Sequence, residues 1–128
     1  MIYVDSSVAL AELLAESRTP PREIWEDAAS SRLLQYEVWT VIHRRQLTKS
    51  HAEATETLLA RIGFLEMDRP ALARALEPFP RAVRALDAIH LASALYLSEQ
   101  LGETLSLATY DRTMKAAAAA LGLTLFEL

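Results

Sequence analysis

The sequence predicts an α/β fold: a three-layer α/β/α sandwich whose central, mostly parallel sheet has about five strands. Short apolar runs alternate with segments of helical periodicity along all 128 residues, a pattern typical of parallel strands joined by right-handed crossover helices. The first run, from Ile2 to Val4, has no polar interruption, as expected of a strand buried on both faces. The length corresponds to about one domain, so we expect a single domain over residues 1–128.

The first half of the chain begins with the strand on which the site prediction depends. This strand ends at Asp5, and Ser6 and Ser7 are good N-caps for the helix that follows. Two prolines at Pro20 and Pro21 then favour a new helix start. The other predicted elements are a short helix over residues 22–29, a brief strand over 32–35, and a pair of helices over 37–45 and 52–62.

The second half alternates strands and helices more regularly. Gly63 is expected to end the preceding helix, and Asp68 to cap a short helix with Leu72, Ala75 and Leu76 on its inner face. The segment over residues 86–99 is apolar on almost every side, which indicates a buried helix. The other predicted elements are strands over residues 64–67, 104–108 and 123–126, and a helix over 112–121 closed by Gly122.

The composition excludes several classes of function. With 17 acidic residues, 13 basic residues and a formal net charge of −4, nothing in the composition indicates a chain that binds polyanions by bulk charge alone. Since it lacks cysteine, it has no disulfide, thiolate metal site or thiol nucleophile. It has no apolar run of about 18 residues and no basic region near its start. We therefore expect a soluble, cytoplasmic protein with no membrane partner.

Four acidic residues are expected at one edge of the sheet. Asp5 and Asp111 follow strands, whereas Glu37 and Asp87 lie near the starts of helices. Strand ends and the following helix starts share an edge in a parallel sheet, so the four carboxylates can converge. Such a cluster repels itself unless cations bridge it, and an oxygen-only ligand set favours Mg²⁺ or Mn²⁺ over Zn²⁺. The pattern predicts a metal site suited to phosphoryl chemistry.

Each acid taken alone also has a structural explanation. Asp5 and Asp111 are suited to capping helices or turns, and Asp87 to interacting with a helix dipole. Glu37 resembles many glutamates on helix surfaces. The joint pattern is more informative than any single member. Neutralisation of the four acids by bound cations would leave the rest of the chain formally neutral.

Several motifs together point to one family. They are the run MIYVDSSVAL at residues 1–10, Glu37 ahead of a Val-Ile-His-Arg helix, Asp-Ala-Ile-His-Leu-Ala from Asp87, Thr109-Tyr-Asp111, and the alanine-rich helix before Gly122. With these motifs the chain resembles the PIN-domain family, and within it the small VapC-like toxins of bacteria and archaea. The resemblance spans essentially the whole chain, and the segment beginning at Asp87 is its most specific part.

The resemblance implies an activity, a cofactor and partners. Members of this family are Mg²⁺-dependent ribonucleases of toxin–antitoxin systems, so it implies endonucleolytic cleavage of RNA by metal-activated water, with Mn²⁺ as a possible substitute for Mg²⁺. It implies an RNA substrate, a cognate antitoxin protein and a homodimer. Ser6 and Thr109 would be hydroxyl-bearing neighbours of the metal site. The catalytic and metal-binding acids carried over by position are Asp5, Glu37, Asp87 and Asp111.

Other residues near this edge have less specific signals. Gln35 and Tyr36 precede Glu37 where the family has smaller residues, which leaves the orientation of Glu37 open. His90 shares a helical face with Asp87, but its apolar surroundings favour a structural role over metal binding. Eleven of the 13 bases are arginine, which fits either the coding composition of the source or phosphate recognition. The candidates for phosphate contacts are Arg84, Arg44 and Arg112.

Two other functional classes remain open from the sequence. Phosphoaspartyl enzymes also place an aspartate after the first strand, but the haloacid-dehalogenase type needs a second aspartate where Ser7 stands. A receiver domain needs paired acids near the first strand and a lysine after a late one, and neither is found. The third class is an RNA- or protein-binding module with an inert site, which the full set of acids disfavours.

Overall fold

A computed structural model describes all 128 residues of the chain. The strands are β1 (Ile2–Val4), β2 (Ala28–Ser31), β3 (Ile62–Leu65), β4 (Ser106–Ala108) and β5 (Thr124–Leu125). They form one sheet in the order β3-β2-β1-β4-β5, and every neighbouring pair is parallel. The predicted number of strands and their direction are therefore confirmed, and the first strand is central.

Six α-helices and one 3₁₀ helix connect the strands. In chain order they are α1 (Ser6–Leu13), the 3₁₀ helix (Arg22–Glu26), α2 (Leu33–Arg44), α3 (Thr48–Leu59), α4 (Arg69–Ala75), α5 (Ala85–Leu101) and α6 (Arg112–Ala120). Side chains of α1, α2 and α3 share one hydrophobic cluster with the sheet, and those of α5 and α6 share another. Helices thus cover both faces of the sheet, which confirms the three-layer sandwich.

Consecutive residues of the central strand pack on opposite faces of the sheet. Val4 contributes to the cluster with α1, α2 and α3, whereas Tyr3 contributes to the cluster with α5 and α6. Both side chains are fully buried. This double burial explains why the strand has no polar residue.

The segment between α1 and α2 differs from the prediction. The expected helix over residues 22–29 is a 3₁₀ helix that ends at Glu26, and β2 follows it. The expected strand over residues 32–35 is instead the start of α2, whose first residue is Leu33. The sequence of β2 is Ala-Ala-Ser-Ser, which has little intrinsic strand preference. The segment is a strand because it pairs with β1 on one side and β3 on the other.

The predicted boundary between α3 and β3 was also wrong. The helix begins at Thr48 and ends at Leu59, earlier than predicted at both ends, and Ile62 and Gly63 belong to β3. The apolar stripe misled the prediction because Leu58 and Ile62 face the same hydrophobic cluster. An apolar side chain at the position of Ile62 is buried in this cluster whether its backbone is helical or extended.

The second half of the chain matches the prediction in the type of each element. Asp68 caps α4 as predicted, and its carboxylate accepts a hydrogen bond from the backbone N–H of Ala71. The predicted inner face of α4 is wrong, since Leu72 is 37% exposed and Leu76 is 89% exposed, whereas Ala71 is buried. Gly122 follows the C-cap of α6 with a φ of 80°, a left-handed conformation that glycine adopts without strain.

The strand order creates a crevice at the carboxyl edge of the sheet. From β1 the chain builds the sheet outward through β2 and β3, then returns to place β4 on the other side of β1. Ligand sites of open α/β sheets lie at such a reversal, outside the carboxyl ends of the strands. None of the helices has the length and apolar character needed to cross a membrane.

Candidate active site

Asp5 is the first residue after β1 and the N-cap of α1. Its Oδ1 atom accepts hydrogen bonds from the Ser7 backbone N–H at 3.1 Å and from the Ser7 hydroxyl at 2.5 Å. Ser6 and Ser7 were expected to cap this helix, but they are its first residues. Because Asp5 directly follows β1 and also caps α1, the backbone of these two elements sets the direction of its carboxylate.

Thr109 holds the other oxygen of the same carboxylate. Its hydroxyl donates a hydrogen bond to Oδ2 of Asp5 at 2.5 Å. The backbone N–H of Asp111 in turn donates to the Thr109 hydroxyl oxygen at 3.0 Å. Thr109 follows β4, the neighbour of β1, so the carboxyl ends of two adjacent strands are joined at Asp5.

The environment of Asp5 disfavours its ionised form. The residue is 4% exposed, and this burial raises the pKa of its carboxyl group. The hydrogen bonds from Ser7 and Thr109 lower that pKa, while the nearby charge of Glu37 raises it further. A bound cation would reverse the balance by favouring the carboxylate.

Asp111 is the N-cap of α6. Its Oδ1 atom accepts hydrogen bonds from the backbone N–H groups of Thr113 at 2.8 Å and Met114 at 3.1 Å. Both capping bonds use the same oxygen, so Oδ2 is left outside the cap. The structural explanation for this acid is therefore correct, and it does not exclude a role in the site.

Glu37 reaches the site from the second turn of α2. It is the fifth residue of the helix, because α2 begins earlier than predicted. Its Oε1 atom lies 2.5 Å from Nε2 of His90, and Nδ1 of that ring lies 2.8 Å from the Tyr3 hydroxyl. His90 is 1% exposed, in agreement with its expected structural role. The contact with Glu37 gives this buried histidine a direct link to the acidic cluster.

Asp87 lies in the first turn of α5, three residues after the N-cap Arg84. Partial burial raises the pKa of its carboxyl group, and the charges of Asp111 and Glu37 raise it further. Arg84 and His90 act in the opposite direction. An open cleft of about 390 Å³ lies beside this acid and is lined by Glu37, Arg84, Ala85, Leu86 and Asp87.

The four acids therefore share the carboxyl edge of the sheet and interact electrostatically. No group of three or more aspartate, glutamate or histidine side chains is arranged so that it could hold a metal ion directly. Mg²⁺ keeps several water ligands and is usually bound through only one or two protein carboxylates, so a site for it does not need three protein ligands in direct contact. The donor atoms are all carboxylate oxygens, which are the ligands that hard cations prefer. The residues present fit a hydrated divalent cation.

The predicted phosphate-binding arginines are not equivalent in position. Arg84 lines the acidic cleft, and Arg112 is the exposed first residue of α6, next to Asp111. Arg44 is the last residue of α2, about two turns beyond Glu37. A further arginine was missed: the Arg18 guanidinium lies 4.9 Å from the centre of the Tyr110 ring. Tyr110 stands between two site residues, so Arg18 also lies near this edge.

Three residues of the site were not assigned from the sequence. The hydroxyl bonded to Asp5 belongs to Ser7, whereas Ser6 was the serine expected as a hydroxyl-bearing neighbour of the site. The position of Ser7 was an available signal, because an aspartate side chain commonly accepts a hydrogen bond from the backbone N–H two residues further on, in an Asx-turn. His90 had a signal in its spacing from Asp87. Tyr3 had none, since a tyrosine in an apolar strand indicates only a core position.

The fold and the site together define a class of protein: an α/β/α domain with an acidic cleft where a parallel sheet reverses its strand order. Comparison with known families agrees, because the model of the PIN domain matches residues 2–120. The chain therefore belongs to the PIN-domain family, and its relatives place it among the VapC-like ribonucleases.

Two ribonucleases of Mycobacterium tuberculosis are similar over most of the chain. VapC46 is 36% identical over 126 residues, which cover 95% of this chain and 93% of that protein. VapC47 is 31% identical over 122 residues, which cover 89% of this chain and 87% of that protein. Similarity on this scale covers most of the fold.

Two crystal structures share the fold. VapC20 of Mycobacterium tuberculosis, a toxin that cleaves the sarcin–ricin loop, has a TM-score of 0.65 and 18% identity, with 91% of this chain and 95% of that chain covered. PAE2754 from Pyrobaculum aerophilum has a TM-score of 0.62 and 20% identity, with 91% and 83% covered. At these identities the likeness concerns the fold.

Proposed function

We propose that this protein is a Mg²⁺-dependent endoribonuclease and the toxin of a type II toxin–antitoxin pair, with Mn²⁺ able to replace Mg²⁺. Residues 1–128 would act as one PIN domain. The VapC-like family membership supports the reaction type. The residues that would hold the cation and carry catalysis are Asp5, Glu37, Asp87 and Asp111.

The burial of Asp5 beside other acids carries this proposal. Its carboxylate is 4% exposed and accepts hydrogen bonds on both oxygens, and Glu37 is near enough to raise its pKa. A buried carboxylate beside another carboxylate destabilises a fold unless a cation compensates the charge. The arrangement is therefore better suited to binding a cation than to stabilising the domain.

The proposed reaction is hydrolysis of an RNA phosphodiester. A divalent cation held by the acids would supply Lewis-acid activation of water and neutralise charge on the phosphate. The water oxygen bonds to phosphorus, the bond from phosphorus to the 3′-oxygen breaks, and that oxygen takes up a proton. The products are a 5′-phosphate and a 3′-hydroxyl, and no protein nucleophile is required. Arg84, exposed beside the cleft, would bind a phosphate oxygen of the substrate.

Cleavage of total RNA by the purified protein tests this proposal. The reactions contain Mg²⁺ or Mn²⁺ and are run beside EDTA and beside the variant Asp5→Asn. The matched control is Glu103→Gln, which removes one negative charge from an exposed residue before β4, at the amino edge of the sheet. We expect the wild type and Glu103→Gln to cut RNA, and EDTA and Asp5→Asn to abolish cutting.

Two results would contradict the proposal in different ways. Metal-dependent cutting that persists in Asp5→Asn would show that the site lies elsewhere. Failure to bind Mn²⁺ at millimolar concentration in calorimetry, together with an absence of cutting, would favour an inert RNA- or protein-binding module. Metal binding without cutting of total RNA would require a narrower target, to be sought among defined structured RNAs.

The same proposal includes protein partners. A cognate antitoxin would occupy the acidic cleft in the cytoplasm and prevent RNA from entering. We also propose a homodimer, since α4 leaves apolar surface available: Leu72 and Leu76 lie one turn apart, and Leu76 is 89% exposed. Sedimentation at high protein concentration should give a dimer, and a strict monomer would contradict this part of the proposal.

A further inference from the structure

His90 links the central strand to the acidic cleft. Its Nε2 atom lies 2.5 Å from Oε1 of Glu37, and its Nδ1 atom lies 2.8 Å from the hydroxyl of Tyr3. These residues belong to α5, α2 and β1, so one imidazole ring joins three separate elements. The ring is 1% exposed and Tyr3 is fully buried, so water does not compete for the hydrogen bond between them, whereas Glu37 is partly exposed.

Tyr3 sets the orientation and the tautomer of the ring. The backbone N–H of Ser31 donates to the Tyr3 hydroxyl oxygen at 3.0 Å, and we assign the hydroxyl hydrogen to the 2.8 Å contact with Nδ1. The two rings meet edge to face, with centroids 5.8 Å apart and an angle of 76° between their planes. An imidazole that accepts at Nδ1 carries its hydrogen on Nε2, which then donates to Glu37.

We propose that His90 is a positioning residue, which aims the Glu37 carboxylate at the cation site through the hydrogen bond from Nε2. This role rests on the proposed function. It gives His90 no place among the metal ligands and no contact with RNA. Groups that hold metal-binding side chains in orientation typically change metal affinity by about 10- to 100-fold when they are removed.

The position of Glu37 explains why such a group is needed. Its side chain extends from the second turn of α2 and is 19% exposed, so without a partner it is free to rotate toward solvent. Asp87 lies three residues before His90 and therefore on nearly the same face of α5. Helix α5 thus places Asp87 at the cleft and, one turn further into the protein, His90. The imidazole of His90 directs Glu37 toward the same cleft.

A buried polar contact of this kind also stabilises the fold, and two isosteric variants separate the roles. In His90→Gln the side-chain amide N–H reaches the place of Nε2 and still donates to Glu37. In His90→Asn the shorter amide lies near the place of Nδ1 and contacts only Tyr3. Both leave a polar group in the same buried site, so we expect similar decreases in melting temperature.

The experiment measures Mn²⁺ affinity by calorimetry for the purified full chain. We expect His90→Asn to weaken Mn²⁺ binding by about 10- to 100-fold, and His90→Gln to retain most of the wild-type affinity. Wild-type affinity in His90→Asn overturns the inference, and so does an equal loss in both variants. If the wild type itself binds no Mn²⁺, the proposed function fails along with the inference. If the wild type binds Mn²⁺ and cuts RNA, and His90→Asn binds Mn²⁺ with the wild-type affinity, only the inference fails.

Tyr3→Phe provides a second test if His90→Asn does not fold. This variant keeps the aromatic ring and removes the hydroxyl that fixes the imidazole. In metal-free protein, long-range ¹H–¹⁵N spectra should show hydrogen on Nε2 of His90 in the wild type and a mixture of tautomers in Tyr3→Phe. We expect a several-fold loss of Mn²⁺ affinity. An unchanged tautomer together with unchanged affinity overturns the inference.

Discussion

The hydroxyl of Thr109 donates a 2.5 Å hydrogen bond to Oδ2 of Asp5, across 104 positions of the sequence. The Ser7 hydroxyl donates to the other oxygen at the same distance. Hydrogen bonds to an ionised acceptor are among the stronger ones in proteins, and they matter more where water is excluded. These two hydroxyl groups therefore fix the orientation of the carboxylate on which the acidic site depends.

Ser7→Ala should lower the stability of the protein and slow RNA cleavage, whereas Ser6→Ala should have little effect on either. Removal of the Ser7 hydroxyl leaves Oδ1 of Asp5 short of a donor and the Tyr110 N–H without its acceptor. We expect a loss of about 1–3 kcal/mol in the free energy of unfolding, together with slower RNA cleavage. Ser6→Ala should change stability by less than about 0.5 kcal/mol. Urea unfolding and initial cleavage rates check both, and equal effects would contradict the assignment.

Asp87→Asn should lower kcat/KM for RNA cleavage by about 100-fold or more, because a carboxylate proposed to hold the cation beside the reacting phosphate is lost. The fold should remain intact, since Asp87 is only partly buried and its removal relieves repulsion from Asp111 and Glu37. Glu99→Gln, on the exposed end of the same helix, is the control and should cut at the wild-type rate. Circular dichroism confirms folding. Cleavage by Asp87→Asn at the rate of the control would refute the role of this acid.

Metal-free protein should lose stability as the pH rises. Burial raises the pKa of Asp5, so the folded state binds a proton more tightly than the unfolded state does. The resulting loss of stability is absent below about pH 3.9, the ordinary pKa of an aspartate in the unfolded state. It is complete once the pH exceeds the raised pKa of Asp5 in the folded state. Urea midpoints in EDTA from about pH 4 to about pH 7 should therefore fall less steeply for Asp5→Asn than for the wild type. Identical slopes would show that the Asp5 carboxyl group is not the source of this pH dependence.

Arg84→Ala should weaken RNA binding and reduce its salt dependence, with a slope of log affinity against log salt smaller by about one. Arg84 lines the acidic cleft, whereas Arg61 is exposed just before β3, at the amino edge of the sheet, so Arg61→Ala is the control. Both substitutions are made in the Asp5→Asn background, in which RNA is bound without being cut. Unchanged affinity and slope for Arg84→Ala would remove it from the substrate-binding surface.

The fold could be predicted wherever local sequence and burial agree. The apolar run before Asp5, the all-round apolar α5 and the alanine-rich α6 each match the structure in type and approximate bounds. β2 could not be predicted, because its small residues have weak local preference and it is a strand only through its two neighbours. The start of α2 had a signal that was not used, since Leu34, Val38 and Ile42 recur every four residues and are all buried.

The sequence by itself determined which chemistry the acids allow and at which edge of the sheet they lie. Acids that follow parallel strands share an edge, so the placement of Asp5 and Asp111 required only the order of the elements. Only the tertiary structure decided what holds the acids in place: a hydroxyl from Thr109 and an imidazole from His90. These partners lie 104 and 53 positions away in the chain, and they meet only because helices pack on the sheet at particular angles and depths. The spacing of apolar residues shows which face of a helix is buried. It does not show which atom of another helix or strand that face contacts.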